Sequence, residues 1–169
     1  GTLEPRKNLP RLLRAYRRYA EDNPRALPLK IAGGSGWGKQ DIAELVHQLG
    51  LDEQVQLLGR VDDNTLAALY RGAHALLMPS LYEGFGLPVV EALSAGGPVI
   101  TSRDSAMAVG AGAAGLCVDP RAESGLCRAM AWIDNDRELH AALAAGTALE
   151  ASRYSWDKSA ETMAGLLLL

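Results

Sequence analysis

The spacing of apolar positions changes several times along this chain, and each change marks an element. Leu9, Leu12, Leu13, Tyr16 and Tyr19 recur at helical spacing, which predicts an amphipathic helix with one buried stripe. Leu27 to Ala32 reads as a strand that opens into a glycine turn, Gly33-Gly34-Ser35-Gly36. A helix over Asp41–Leu49 follows, then a strand over Val55–Leu58 ending at Gly59. Asp63 is the expected N-cap of a helix over Thr65–Arg71. Ala75–Met78 reads as a strand, Leu87–Ser94 as a helix closed by Gly96-Gly97-Pro98, and Val99–Thr101 and Gly115–Val118 as strands. Thereafter the strands stop. Helices are predicted near Ser124–Ile133, Arg137–Ser152 and Trp156–Leu168.

Strands that alternate with helices at this spacing specify βαβ units and a parallel sheet. The fold class is therefore α/β: a Rossmann-like parallel sheet with helices on both faces and a helical C-terminal cap. The 169 residues suit one domain, 1–169, with a sizeable core. Gly1-Thr2-Leu3 looks like the end of a strand whose beginning is missing. The chain is accordingly expected to be part of a longer protein, cut just inside a domain edge. In a parallel α/β sheet, ligands sit at the C-terminal ends of the strands. Four distinctive segments fall there together: Glu4–Asn8, Gly33–Gly38, Arg60–Val61 and Ser80–Gly86.

Composition narrows the partners. The apolar fraction of 48% is ordinary for a globular domain, and a net charge of −3 argues against a nucleic-acid footprint. Cys117 and Cys127 form no CxxC pair and read as buried thiols in a reducing compartment. The terminal run Gly165–Leu169 is too short to span a bilayer, and no transmembrane segment is expected.

The richest chemistry lies in PSLYEGFGLPVVE, Pro79 to Glu91. Two carboxylates, Glu83 and Glu91, bracket the flexible corner Gly84-Phe85-Gly86 and the start of a helix at Leu87. Such a corner offers free backbone N–H groups to an anion. The carboxylates can accept hydrogen bonds from hydroxyls, Glu91 from the adjacent pair on a ribose. A ligand that is both phosphate anion and polyol is a sugar nucleotide. Arg6 and Lys7, after the first strand, can neutralise its diphosphate. The turn at Gly34 and Ser35 can face phosphate, although GGSGWG meets neither G-x-G-x-x-G nor a Walker loop. Asp134-Asn135-Asp136 has a D-x-D form, but it lies between two amphipathic helices, and Asp136 reads as an N-cap. His47, His74 and His140 are scattered. No metal site is expected.

On these residues the sequence resembles the C-terminal, donor-binding domain of retaining glycosyltransferases of the two-Rossmann-domain (GT-B) type, family 4, also called glycosyltransferase group 1. The resemblance is carried by E-x7-E, Glu83 to Glu91, and by GTLEPRKN, KIAGG, VQLLGRV, the L-x-x-L-Y-R-x-A pattern from Leu66, GLCVDP and YSW at Tyr154–Trp156. It implies a metal-independent, cofactor-free donor site. Glu83, Lys7 and Arg6 are the catalytic set: the positions matching Lys7 and Arg6 contact the diphosphate, and that matching Glu83 contacts the transferred sugar. Glu91 matches the ribose ligand, Gly84, Phe85, Gly86 and Leu87 the backbone groups at sugar and phosphate, and Arg60 and Val61 the positions beside the base. Thr2 and Val109 depart from the residues many relatives carry.

The reading is the nucleotide-sugar-binding half of a hexosyltransferase in polysaccharide biosynthesis, with GDP-mannose as the first expected donor and a UDP-sugar the second. Its partner is its own N-terminal acceptor domain. The expected location is cytoplasmic, peripheral to the inner membrane face through that missing domain. The alternatives are a non-catalytic sugar-nucleotide-binding or complex-supporting domain and half of a sugar-nucleotide epimerase.

Overall fold

A computed structural model of the chain describes residues 1–34, 36 and 41–167. The amphipathic stripe read from the first apolar positions becomes α1, Leu9–Asp22, which buries Leu12, Leu13, Ala15, Tyr16 and Tyr19. The order continues β1 Leu29–Ala32, α2 Ile42–Gln48, β2 Val55–Gly59, α3 Asp63–Gly72, β3 Leu76–Met78, α4 Leu87–Ser94, β4 Val99–Ser102, α5 Ala106–Ala111, β5 Gly115–Val118, α6 Glu123–Asn135, α7 Arg137–Ala151 and α8 Trp156–Leu167.

Every strand pair is parallel. The ladders form two groups, β1 with β2 and β3-β4-β5, where the sequence pointed to one continuous sheet. Segment 1–8 runs between the exits of the two groups and joins them. The Gly1 nitrogen donates to Ala32 O at 3.0 Å and Leu3 N to Gly34 O at 3.0 Å, on the β1 side. On the β3 side Leu81 N donates to Arg6 O at 2.7 Å.

Val99 and Ile100 show how β4 is covered. They are neighbours, so they point to opposite faces, and both are wholly buried. Ile100 belongs to a cluster with Leu13 and Tyr16 of α1, Ile31 of β1 and Leu126 and Met130 of α6. Val99 belongs to a second cluster with Val89 and Leu93 of α4 and Met107 and Ala111 of α5. Helices on both faces explain why β4 is buried along its whole length, polar Thr101 and Ser102 included, rather than at alternate positions. Burial of such side chains contributes about 1.5–3 kcal/mol each, and it is the main force holding the layers together.

Several details differ from the sequence reading. Asp62, not Asp63, caps α3: its carboxylate accepts from Thr65 N at 2.8 Å. Asp136 caps α7 as expected, accepting from Leu139 N at 2.9 Å. Helix α5 was not foreseen, because Ala106–Ala111 is rich in small residues and shows no clear apolar stripe; its signal was Ser105, whose hydroxyl accepts from Ala108 N at 3.2 Å. Gly112 ends it at φ 49°, where a Cβ would collide with the Glu150 carboxylate. Cys117 is exposed on β5 and Cys127 is half-buried, so neither thiol is fully buried. Helices α6 and α7 form the C-terminal cap, whereas α8 buries none of its residues and leaves Trp156 80% exposed. Among the described residues no helix is long and apolar enough to cross a membrane.

Candidate functional site at the strand ends

Arg6 and Lys7 lie in a single 3₁₀ turn, Pro5–Lys7, and Asn8 ends that turn and begins α1 in the left-handed conformation, φ 59°. Asn tolerates this region better than most residues. Its buried amide donates to Pro79 O at 3.0 Å and Pro120 O at 2.7 Å, and its carbonyl accepts from Arg11 Nη1 at 3.0 Å. The turn is thereby pinned to the chain beyond β3 and beyond β5. Beyond β3, Ser102 Oγ donates to Ser80 O at 2.5 Å, which fixes the start of the acidic corner.

These anchors bring Arg6, Lys7 and Glu83 into direct contact. Lys7 Nζ stands 2.6 Å from Glu83 Oε1, Ser80 Oγ donates to the same oxygen at 3.1 Å, and the Arg6 guanidinium pairs with Oε2. Arg6 Nε also holds Glu4 at 2.7 Å. Only 10% of the Glu83 side chain is exposed. Burial alone pushes its carboxyl up, but the hydrogen bonds from Lys7 and Arg6 outweigh burial and hold it below the ordinary glutamate value. The same contact with Glu83, and then that with Glu4, raises Arg6. The sequence reading left both cations open to phosphate; here a carboxylate of the chain itself occupies them.

Gly86 caps α4 at φ 95°, a conformation natural to glycine, and a Cβ there would stand 2.7 Å from Met107 Cγ. Gly84 is open to solvent, Leu87 is exposed at the first position of the helix, and Phe85, 50% exposed, meets Tyr154 edge-on at 5.5 Å between ring centroids. Glu91 is exposed on α4, and its Oε2 accepts a hydrogen bond from Tyr70 on α3 at 2.9 Å. Burial, then this bond to a carboxylate, raises the Tyr70 phenol above its usual range. Gly34 lies beside Arg60, whose Cβ is 4.0 Å from where a Gly34 Cβ would stand, and Val61 is half-buried. Ser35 lies outside the described residues.

The structure thus joins Arg6, Lys7 and Glu83 into one charged cluster and places Gly34 beside Arg60. Sequence reasoning missed Tyr70, Ser80 and the anchoring role of Asn8. Tyr70 and Asn8 sat within recognised motifs, but a polar contact across elements leaves no periodic signal. Among the described residues no group of three or more His, Cys, Asp or Glu is arranged to hold a metal ion. Asp134 instead accepts from Tyr19 Oη and Asn23 Nδ2, both at 2.7 Å. The first of these bonds, added to the larger effect of burial, pushes Tyr19 up to about 12.

Comparison with known proteins adds an independent line. The family model for glycosyl transferases group 1 matches residues 1–148. O-antigen chain mannosyltransferase B of Escherichia coli is 35% identical over 158 residues, which is 93% of this chain and 41% of that protein. D-inositol 3-phosphate glycosyltransferase of Corynebacterium jeikeium is 32% identical over 170 residues, 96% of this chain and again 41% of the relative. Among solved structures, sucrose-phosphate synthase from Thermosynechococcus elongatus superimposes with a TM-score of 0.84 at 27% identity, covering 97% of this chain and 42% of that one. The C-terminal domain of the group 1 protein LpcC from Francisella tularensis matches with a TM-score of 0.78 at 22% identity, covering 90% of this chain and 82% of that one; this likeness is one of fold.

Proposed function

This chain belongs to the glycosyl transferases group 1 family, and from that premise we propose that it is the donor-binding half of a retaining enzyme that moves a hexose from a nucleoside diphosphate to an acceptor hydroxyl. It spans 41% of the length of the two curated relatives described above, and a second, acceptor-binding domain completes the cleft. GDP-mannose is the proposed donor. The likeness to an O-antigen mannosyltransferase supports the mannose.

The observation that carries the reading is the cluster of Arg6, Lys7 and Glu83 beside a glycine corner and a helix start. A diphosphate carries more negative charge than one carboxylate and competes for the same two cations. On binding, it takes the guanidinium fork of Arg6 and the ammonium of Lys7, and Glu83 turns toward the sugar hydroxyls. As the bond from sugar to phosphate breaks, negative charge grows on the leaving diphosphate. The two cations and the N–H groups at Gly86 and Leu87 stabilise that charge without reorganising. The chemistry needs no metal, because the protein's own cations supply the counter-charge.

A panel of GDP, UDP and ADP sugars read by thermal shift tests this reading. A nucleotide at about ten times its dissociation constant stabilises the fold by about 1.4 kcal/mol, and GDP-mannose is expected to raise the midpoint most. No shift with any nucleotide would overturn the donor-site assignment.

A further inference from the structure

The hydrogen bond from Tyr70 to Glu91 joins two helices at the rim of the proposed site, and it pre-shapes one of the two acidic groups. Glu91 stands exposed on α4. A free glutamate side chain has several rotamers and loses conformational entropy when a ligand orders it. Tyr70 stands on α3, whose N-terminus is fixed by Asp62, and its ring packs against the buried cluster that contains Met78, Val89 and Leu93. Its hydroxyl reaches Glu91 Oε2 at 2.9 Å. Among the described residues, Oε1 receives no hydrogen bond.

We propose that Tyr70 is a positioning residue for donor recognition: it holds the Glu91 carboxylate in one orientation, so that Oε1 and the remaining lone pair of Oε2 face the two vicinal hydroxyls of the nucleotide's ribose. This rests on the reading of Glu91 as the ribose ligand. A vicinal diol presents two donors side by side, and a carboxylate held in a fixed plane accepts both. The phenol stays protonated through the physiological range, since burial and the neighbouring carboxylate both raise it. It therefore remains a hydrogen-bond donor to the Glu91 carboxylate. The consequence is specificity for ribose over sugars that lack the diol.

Calorimetric titration of the chain with GDP and with its 2′,3′-dideoxy analogue tests this. Wild type is expected to bind GDP more tightly than the analogue. Tyr70→Phe, which keeps the ring and its packing, is expected to weaken GDP by about three- to tenfold, the size of one hydrogen bond's net contribution, and to leave the analogue unchanged. In a Glu91→Ala background the same substitution is expected to change neither affinity. Equal weakening of both ligands would mean a merely structural role and would overturn the proposal, as would no weakening of GDP. If wild type binds GDP and the analogue equally, the ribose role of Glu91 is wrong and the proposal falls with it. If it binds neither, the donor-site reading itself fails; this outcome is distinct from a failure of Tyr70 alone.

Discussion

Glu83 carries the heaviest electrostatic load in the site, with two cations and a hydroxyl on one largely buried carboxylate. Its folded value is depressed. Its contribution to stability is therefore complete above the ordinary glutamate value of about 4.3 and is lost as pH falls through the lower folded value. Melting curves between pH 3 and 7, a range chosen to bracket that value, should show the midpoints of wild type and Glu83→Gln far apart at neutral pH and converging in acid. A gap that stays constant across this range would mean that the ion pairs do not stabilise the fold. Ligand binding should move the other way. Glu83→Gln releases Arg6 and Lys7 from an internal competitor, so affinity for bare GDP should hold or rise, by up to about 1 kcal/mol. In the two-domain enzyme proposed above, the same change is expected to lower the transfer rate, because in that reading Glu83 serves the sugar. A fall in GDP affinity equal to the fall in rate would make Glu83 a nucleotide ligand instead.

Asn8 does for the elements what Glu83 does for the charges. It links the first turn to the chain beyond β3 and beyond β5 through two buried hydrogen bonds. Asn8→Ala leaves two carbonyls without a donor and puts a Cβ residue with no polar side chain into the left-handed region. The expected cost is about 2–4 kcal/mol in denaturant unfolding, with nucleotide binding weakened through displacement of Arg6 and Lys7. A loss below about 0.5 kcal/mol would remove Asn8 from the account. The elements themselves were largely legible in the sequence. Leu12, Leu13, Tyr16 and Tyr19 announced α1 by period, and the run at Val99–Thr101 announced a strand. Helix α5 was hidden because alanine and glycine carry little pattern. The break between the two ladders was hidden because strand neighbours are a property of tertiary packing. At the site, the residue types and their rim location were readable from Glu83, Glu91, Arg6 and Lys7, whereas their mutual pairing and the Tyr70 contact depend on how α3, α4 and the first turn meet.

At the scale of the whole molecule, the chain has a parallel core clothed on both faces and a charged rim at the strand ends. The likeness to larger proteins, in sequence or in fold, each of which extends well beyond the matched region, leads to the expectation that the chain binds a donor but does not turn it over alone. On the proposed reading of the chain as half of a donor cleft, the ligand stays in contact with water on one side, and the expected dissociation constant is on the order of 0.1–10 mM, or about −5.5 to −2.7 kcal/mol. The most direct test is a calorimetric titration of GDP-mannose into wild type, Lys7→Ala and Glu91→Ala. The account predicts saturable one-site binding in that range for wild type, a loss of about 1.5–3 kcal/mol in each variant, as expected for one charge-assisted contact, and melting curves that show both variants folded. Absence of binding to wild type, or undiminished binding in both folded variants, would contradict it.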